Sequence, residues 1–378
     1  MKKLFCLFAS AICAFSVQTQ AQTKPSPASS YNLVIGTYTA PGKSEGIYVY
    51  DFNTATADFK QLSVEKNVIN PSFLAVTPDK KFIYSVNEEA EKSMVSAFSF
   101  DAASGKLSFL NKQNAEGADP CYLIADDKNV MTANYSGGNI AVFGRDRSGA
   151  LTPAKQVIQH IGSSIDQNRQ KSAHVHMVRF SPDGQYVISN DLGKDKVYLY
   201  AYNKDAQDSI LVLKDSIAVK PGSGPRHITF SNNGKFAYLI QEMHGDLTVF
   251  SYQNNKLKQI QETTIVAKDF KGENGGADIQ LSADGKFLYA SNRGAANTIT
   301  TFAVGKDGKL QTKGEVSTKG NGPRAFVIDP SGNWLLAGHQ YSNDIVIFKR
   351  NKVTGELTDS GKRINIGAPV CFVFVPKK

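Results

Sequence analysis

Short runs of alternating apolar and polar residues fill almost the whole chain, and Gly, Pro, Asn or Asp cuts each run off within about ten residues. The stretch from Gly224 to Glu242 is representative. It opens on Pro225, Arg226 and His227, alternates through a first strand, turns at Ser231-Asn-Asn-Gly234 and returns through an apolar strand to Glu242. Read as a β-hairpin, it brings its first and last residues to one edge, so Arg226 and Glu242 share a rim.

Variants of this unit recur. An aromatic residue closes a short β-branched strand at Tyr50, Phe98, Phe143, Tyr200, Phe250, Phe302 and Phe348, at successive intervals of 48, 45, 57, 50, 52 and 46 residues. That period fits a four-stranded propeller blade and is too long for ankyrin or leucine-rich repeats. Ahead of the closures stand strand-turn-strand pairs whose turns read Thr77-Pro-Asp-Lys80, Ser181-Pro-Asp-Gly184, Ser231-Asn-Asn-Gly234, Ser282-Ala-Asp-Gly285 and Asp329-Pro-Ser-Gly332, with a degenerate copy at Asp126-Asp-Lys-Asn129. Pro presets φ for the turn and Gly, Asn or Asp tolerates positive φ, so each motif turns the chain for a stated reason. A more polar strand follows each closure. Every repeat thus supplies four antiparallel strands, A to D from the inside out.

The chain starts in a B-like strand, Tyr31 to Thr39, and finishes in an A-like strand, Ala368 to Val375. The last strand is therefore expected to complete the first blade, which closes the ring and removes its exposed edges. The fold expected is all-β: one seven-bladed β-propeller over residues 31–378, with almost no helix.

Residues 1–21 read as a secretory signal, with Lys2 and Lys3 ahead of the apolar run Leu4 to Val17 and small residues at Thr19 and Ala21. Residues 22–30 are rich in Ser, Pro, Ala and Gln and read as a disordered lead-in. The expected location is periplasmic or secreted. No later stretch has the roughly 18 apolar residues of a membrane span. Losing Lys2 and Lys3 lowers the formal charge from +9 to +7, which suits an acidic small molecule. No basic run with interleaved aromatics appears, so nucleic acid is not an expected partner. Cys121 and Cys371 remain after the signal, on different blades, and are expected as buried free thiols.

With strands alternating in direction, the starts of A strands, the ends of B strands and the D-to-A crossovers share one face. On that mouth the sequence collects His174 and His176, Arg226 and His227, Arg324, Asn134, Glu242 and Arg293. The longest crossover, Gln159 to Ala173, and the Gly- and Lys-rich Ala267 to Gly275 lie over the same mouth. Polar loops of that length in a compact repeat protein are more often functional than idle.

The runs NYSGGNIAVF (Asn134 to Phe143), HVHMVRFSPDG (His174 to Gly184), Gly224 to Glu242 and SNRG (Ser291 to Gly294), in this order, resemble the lactonase family of seven-bladed propellers. That family includes a bacterial type of 6-phosphogluconolactonase and the fungal carboxymuconate-lactonizing enzymes. The resemblance runs from Tyr31 to Pro376 and implies a site on the blade rim with no metal or organic cofactor. It carries over His176, Arg226, Glu242 and Arg293 as catalytic residues, with Asn134, His174, His227 and Arg324 as substrate-binding by proximity.

Lactone opening needs an activated water, an acid for the leaving alkoxide and donors for the oxyanion. His176 is assigned as general base or acid, and Glu242 as positioning water or His176. Arg226 and Arg293 are assigned to the oxyanion or to a substrate phosphate or carboxylate. The expected activity is hydrolysis of a small anionic or sugar-acid lactone. An export signal departs from a phosphorylated lactone of cytoplasmic metabolism, so an unphosphorylated sugar-acid lactone is a further expected substrate. A cyclase or isomerase at the same rim, and a non-catalytic propeller holding an anionic sugar or a protein partner, are the alternative readings. Oligomeric state is not specified by the sequence.

Overall fold

The structure is a computed structural model that describes Met1 and residues 29–39 and 43–377. The expected signal, apart from Met1, and the lead-in as far as residue 28 lie outside the described residues. Seven four-stranded antiparallel sheets make up the rest. Blade 1 is built from both ends of the chain: strand A is Pro369–Pro376, followed outward by Ser30–Thr37, Gly46–Asn53 and Phe59–Lys66. Blades 2 to 7 each use four consecutive strands. The strands Pro225–Phe230 and Phe236–Gln241 are A and B of blade 5, so the hairpin expected from the sequence forms as read. Helix is confined, among the described residues, to single turns at Ala90–Lys92 and Leu192–Lys194.

Each turn motif locks itself. In Ser181-Pro-Asp-Gly184 the serine hydroxyl bonds Asp183, and the Gly184 amide donates to the Ser181 carbonyl at 2.9 Å. Ser282-Ala-Asp-Gly285 repeats the arrangement.

The aromatic column plays a different local part from the one its spacing suggests. These residues do not end the C strands, which run on for two or three residues beyond them. They sit instead where the C–D register shifts, at or next to a bulge in all seven blades. A bulge sharpens the local twist of a strand. All seven rings are buried, and they lie in apolar clusters that join one blade to the next: Phe143 packs with Tyr84 and Val86 of blade 2, and Phe348 with Tyr289 of blade 6. Burying one such ring contributes roughly 1.5–3 kcal/mol.

The A strands surround a central cavity of about 490 Å³. Most of them are bulged near the start. The A–B register skips Cys121 in blade 3, His176 in blade 4, Arg226 in blade 5, Ala277 and Asp278 in blade 6, Arg324 in blade 7 and Val370 in blade 1. Blade 2 has only the short strand Leu74–Val76 and no such skip.

Candidate active site

Two columns of the repeat build the mouth. The first is the bulged residue of strand A, freed from ladder pairing and re-aimed: Cys121, His176 and Arg324 all line a cavity of about 330 Å³ on the mouth. The second is the residue immediately after strand B, which gives Tyr38, Glu88, Tyr135 and Glu242 in blades 1, 2, 3 and 5; in blade 6 strand B runs on to Gly294, and Arg293 lies within its last two residues, paired with Gly275. Glu88, Tyr135 and Glu242 line the same cavity.

Glu242 is the centre of one half of this mouth. Its Oε2 receives Arg226 Nε at 3.0 Å and Arg293 Nη2 at 2.9 Å, and its Oε1 receives Arg169 Nη2 at 2.6 Å. His176 Nε2 lies 3.8 Å from Oε2. Four of these five residues were expected to meet here, and they do, from blades 4, 5 and 6. The hairpin ends are tied by the Glu242 amide, which donates to the Gly224 carbonyl at 2.7 Å, while the Glu242 carbonyl accepts the Gly276 amide of the next blade at 2.9 Å.

Electrostatics sharpen the roles. Burial alone would raise the Glu242 pKa, but Arg293 and Arg226, then His176 and Arg169, outweigh it and hold the carboxylate well below its ordinary range. Burial, reinforced by Arg226 and His227, holds His176 well below the ordinary imidazole value. The His176–Glu242 approach is therefore a contact between a neutral ring and an anion, not an ion pair. Burial, with Arg293 and Arg324 nearby, lowers even Arg226 to about 10. Arg226 is 2% exposed, and its Nη1 donates to the Ala277 carbonyl. Arg293 donates to the Gly276 carbonyl at 3.2 Å as well as to Glu242. Both guanidinium groups are thus occupied by the protein itself.

Arg169 is the residue that pattern reading missed. It lies in the long crossover from Gln159 to Ala173, whose position over the mouth was expected, but a loop has no periodicity to say which side chain reaches inward. The loop is pinned at several points. His160 spans Asp191 at 2.8 Å and the Tyr200 hydroxyl at 2.7 Å, the Ser164 hydroxyl donates to Asp195 at 2.5 Å, and Gln170 donates to the Leu192 carbonyl at 2.8 Å. The backbone amides of Asn168 and Arg169 both donate to Asp166. The Arg169 side chain remains 45% exposed while it reaches Glu242 and the Tyr135 hydroxyl, 3.1 Å away.

Three of the substrate-binding candidates lie off the mouth cavity. Asn134, the last residue of strand B in blade 3, is fully buried and its amide donates to the Ala115 carbonyl at 2.9 Å and to Asn139 at 2.7 Å. Side chains alternate along a strand, so the next residue, Tyr135, faces the cavity instead. His174 precedes the bulge; its ring stacks on Tyr135 at 4.5 Å and its Nδ1–H donates to the Tyr135 carbonyl at 3.0 Å. His227 follows the bulge and lines the central cavity, where Asp278 bonds it at 3.0 Å. Arg324, the fourth candidate, lines both cavities.

The other half of the mouth is carried by blades 7, 1 and 2. Glu88 accepts hydrogen bonds from the Ser72 hydroxyl and from the Tyr38 hydroxyl at 3.1 Å. Burial raises its pKa, although Arg324 and these hydroxyl groups pull the other way. Arg324 lies over the Tyr38 ring, 5.5 Å from its centroid. Cys121 and Cys371 are free and buried, as expected, and burial pushes both thiols up, Cys371 to about 12.

A family model described as lactonase, 7-bladed beta-propeller, matches residues 32–374. A 6-phosphogluconolactonase of Formosa agariphila is 37% identical over 332 residues, which cover 86% of this chain and 94% of the relative. One of Bacillus subtilis is 34% identical over 346 residues, 90% of this chain and 97% of the relative. Among solved structures, a putative 6-phosphogluconolactonase from Bacteroides fragilis superposes with a TM-score of 0.89 at 43% identity, over 93% of this chain and 100% of that one. A periplasmic gluconolactonase from Pseudomonas aeruginosa gives the same TM-score, 0.89, at 36% identity, with 93% and 100% covered.

Proposed function

The chain belongs to the seven-bladed lactonase family, and from that premise we propose that it is an exported hydrolase that opens a sugar-acid lactone by attack of water at the Glu242 cluster. One observation carries this reading above the others: His176, Arg226, Arg293 and Arg169 converge on one buried carboxylate at the wall of a cavity open to solvent.

The neutral state of His176 suits it to act as base. It takes a proton from water as the water oxygen bonds to the lactone carbonyl carbon, and the carbonyl electrons move to oxygen. The imidazolium so formed sits beside ionised Glu242, which stabilises it without receiving the proton. The tetrahedral oxyanion then collapses, the ring C–O bond breaks, and the proton on His176 passes to the departing ring oxygen. Arg169, with its half-exposed guanidinium, is the donor placed to face the oxyanion; Arg226 and Arg293 fix Glu242. The product is the open hydroxy acid.

Export is supported by the signal-like pattern of residues 1–21 and by the similarity to the periplasmic gluconolactonase of Pseudomonas aeruginosa. Fractionation of cells producing the full chain tests it: the protein is expected outside the cytoplasm, shortened by its leader. Activity is tested with the shortened chain and glucono-δ-lactone. Hydrolysis faster than in buffer is expected, and His176→Ala or Arg226→Ala should remove the excess. No excess rate with any sugar lactone overturns the reading.

A further inference from the structure

The Glu242 half of the mouth has no cation left for a second charged group on the substrate. Arg226 and Arg293 are bonded to Glu242 and to backbone carbonyls. Arg169 is bonded to Glu242 and Tyr135. Arg324 differs from all three. Among the described residues its guanidinium makes no hydrogen bond and no ion pair, and the contact it does make is with the face of Tyr38.

Acidic side chains line the same cavity, but each has its own donors. Glu88 holds the Ser72 and Tyr38 hydroxyl groups. Asp119 accepts the Ala90 amide at 2.9 Å and the Ser136 hydroxyl at 2.5 Å. Glu88 is not within ion-pair distance of Arg324. A guanidinium carries five N–H donors in a rigid fork, suited to two oxygens of a carboxylate or phosphate. Leaving that fork unpaired in a half-buried site is costly unless water or a ligand meets it. The bulge that frees Arg324 from its ladder aims it into the mouth, and Tyr38 braces it from below. Arg324 of blade 7 stands two blades on from Glu242 and three on from His176, and all three line one cavity, so a substrate whose carbonyl lies at Glu242 has room to extend towards Arg324.

We propose that Arg324 is the specificity residue of this site and takes a second, non-reacting anionic group of the lactone, a phosphate ester or a carboxylate, at the blade 7 wall of the cavity that Glu242 also lines. This rests on the lactonase reading above for the identity of the substrate ring. It moves anion recognition away from Arg226 and Arg293, where the sequence pattern had placed it.

Three lactones separate the sources of charge: neutral glucono-lactone, 6-phosphoglucono-lactone and the carboxylate-bearing glucaro-lactone. The readout is the ratio of kcat/KM for each charged lactone to that for the neutral one. For the wild type, at least one ratio is expected to be on the order of 10 or more, as a charge-assisted fork supplies. Arg324→Gln should bring that ratio towards one, chiefly through KM. Arg324→Lys should recover part of it, because an ammonium keeps the charge and loses the fork. The larger ratio identifies phosphate or carboxylate as the group read.

A wild type with no preference, or an Arg324→Gln ratio equal to the wild type's, overturns the proposal while leaving the hydrolase reading intact. Binding by calorimetry of the open acid of whichever charged lactone is preferred, 6-phosphogluconate or glucarate, is the second arm. Binding that weakens about 10-fold or more in Arg324→Gln upholds the anion site even without turnover, whereas equal affinity in the two proteins overturns it. Thermal melts of both variants separate lost folding from lost recognition.

Discussion

Glu88 and Glu242 hold the same position in two copies of one repeat, the first residue after strand B, and both line the same mouth cavity. Their chemistry is opposite. Glu242 meets three guanidinium groups and is held ionised, whereas Glu88 meets two hydroxyl groups and its pKa is raised by burial. The difference comes from the neighbours each blade supplies. Blade 5 offers a bulged Arg226, flanked by His176 and Arg293; blade 2 has no bulge, Ser72 precedes its A strand, and Tyr38 reaches Glu88 from the end of strand B in blade 1. A propeller repeats its backbone seven times, and the residues at two columns decide which copy gathers cations around a buried carboxylate.

Substituting the two carboxylates in parallel tests this contrast most severely. Glu242→Gln leaves Arg226 buried without its counter-charge, so a loss of about 3–5 kcal/mol in denaturant unfolding is expected. Hydrolysis should fall by roughly three orders of magnitude, as expected when a group that stabilises the transition-state charge is lost. If Glu242→Gln costs no more than Glu88→Gln, the two halves are equivalent and the contrast is broken.

The buried histidines give the next largest effect. His227 is lowered from 6.5 to about 4, by burial first and then by Arg226, against the pull of Asp278. Between those values the unfolded chain binds a proton that the folded chain does not, so stability falls as pH drops from about 6.5 to about 4, by roughly 3 kcal/mol. His176 shifts in the same direction. Melting temperatures across this window should decline in the wild type and decline less in His227→Gln. Glu242 adds to the same trend, because its lowered pKa gives stability above the ordinary 4.5 that is lost as pH falls further. Glu88 runs the other way: its raised pKa gives stability below 4.5 that is lost as pH rises through its folded value.

Arg169→Gln sharpens the contrast from outside the repeat. The side chain is 45% exposed, so unfolding stability should change by less than about 1 kcal/mol. Its loss from the carbonyl should lower kcat by roughly 100-fold, more than it changes KM. An equal loss in the stability of the variant would make Arg169 a mere clasp on the loop. Smallest of all, Glu88→Gln should shift stability by less than about 1 kcal/mol at neutral pH, since an amide still accepts from Tyr38 and Ser72.

Much of the site was legible because the repeat is legible. The Gly224 to Glu242 hairpin, the ring closed by the C-terminal strand, and the meeting of His176, Arg226, Glu242 and Arg293 all follow from where strands start and stop. Asn134 and His227 were each placed one residue from the position that faces the mouth. In a strand, one residue is the difference between the two faces, and a bulge that resets the alternation leaves no mark in composition. Arg169 was hidden for another reason: its loop is positioned by His160, Asp191, Ser164 and Asp195, which are brought together from separate elements.

The sequence by itself determined seven blades, their turns and the order in which charged residues arrive at one rim, because period, turn chemistry and apolar alternation are local properties of the chain. Only the tertiary structure decided that Glu242 is ionised while Glu88 is raised, and that Arg226 is occupied while Arg324 is left open. Charge state and hydrogen-bond satisfaction depend on burial and on neighbours from other blades, and neither quantity exists until the ring has closed.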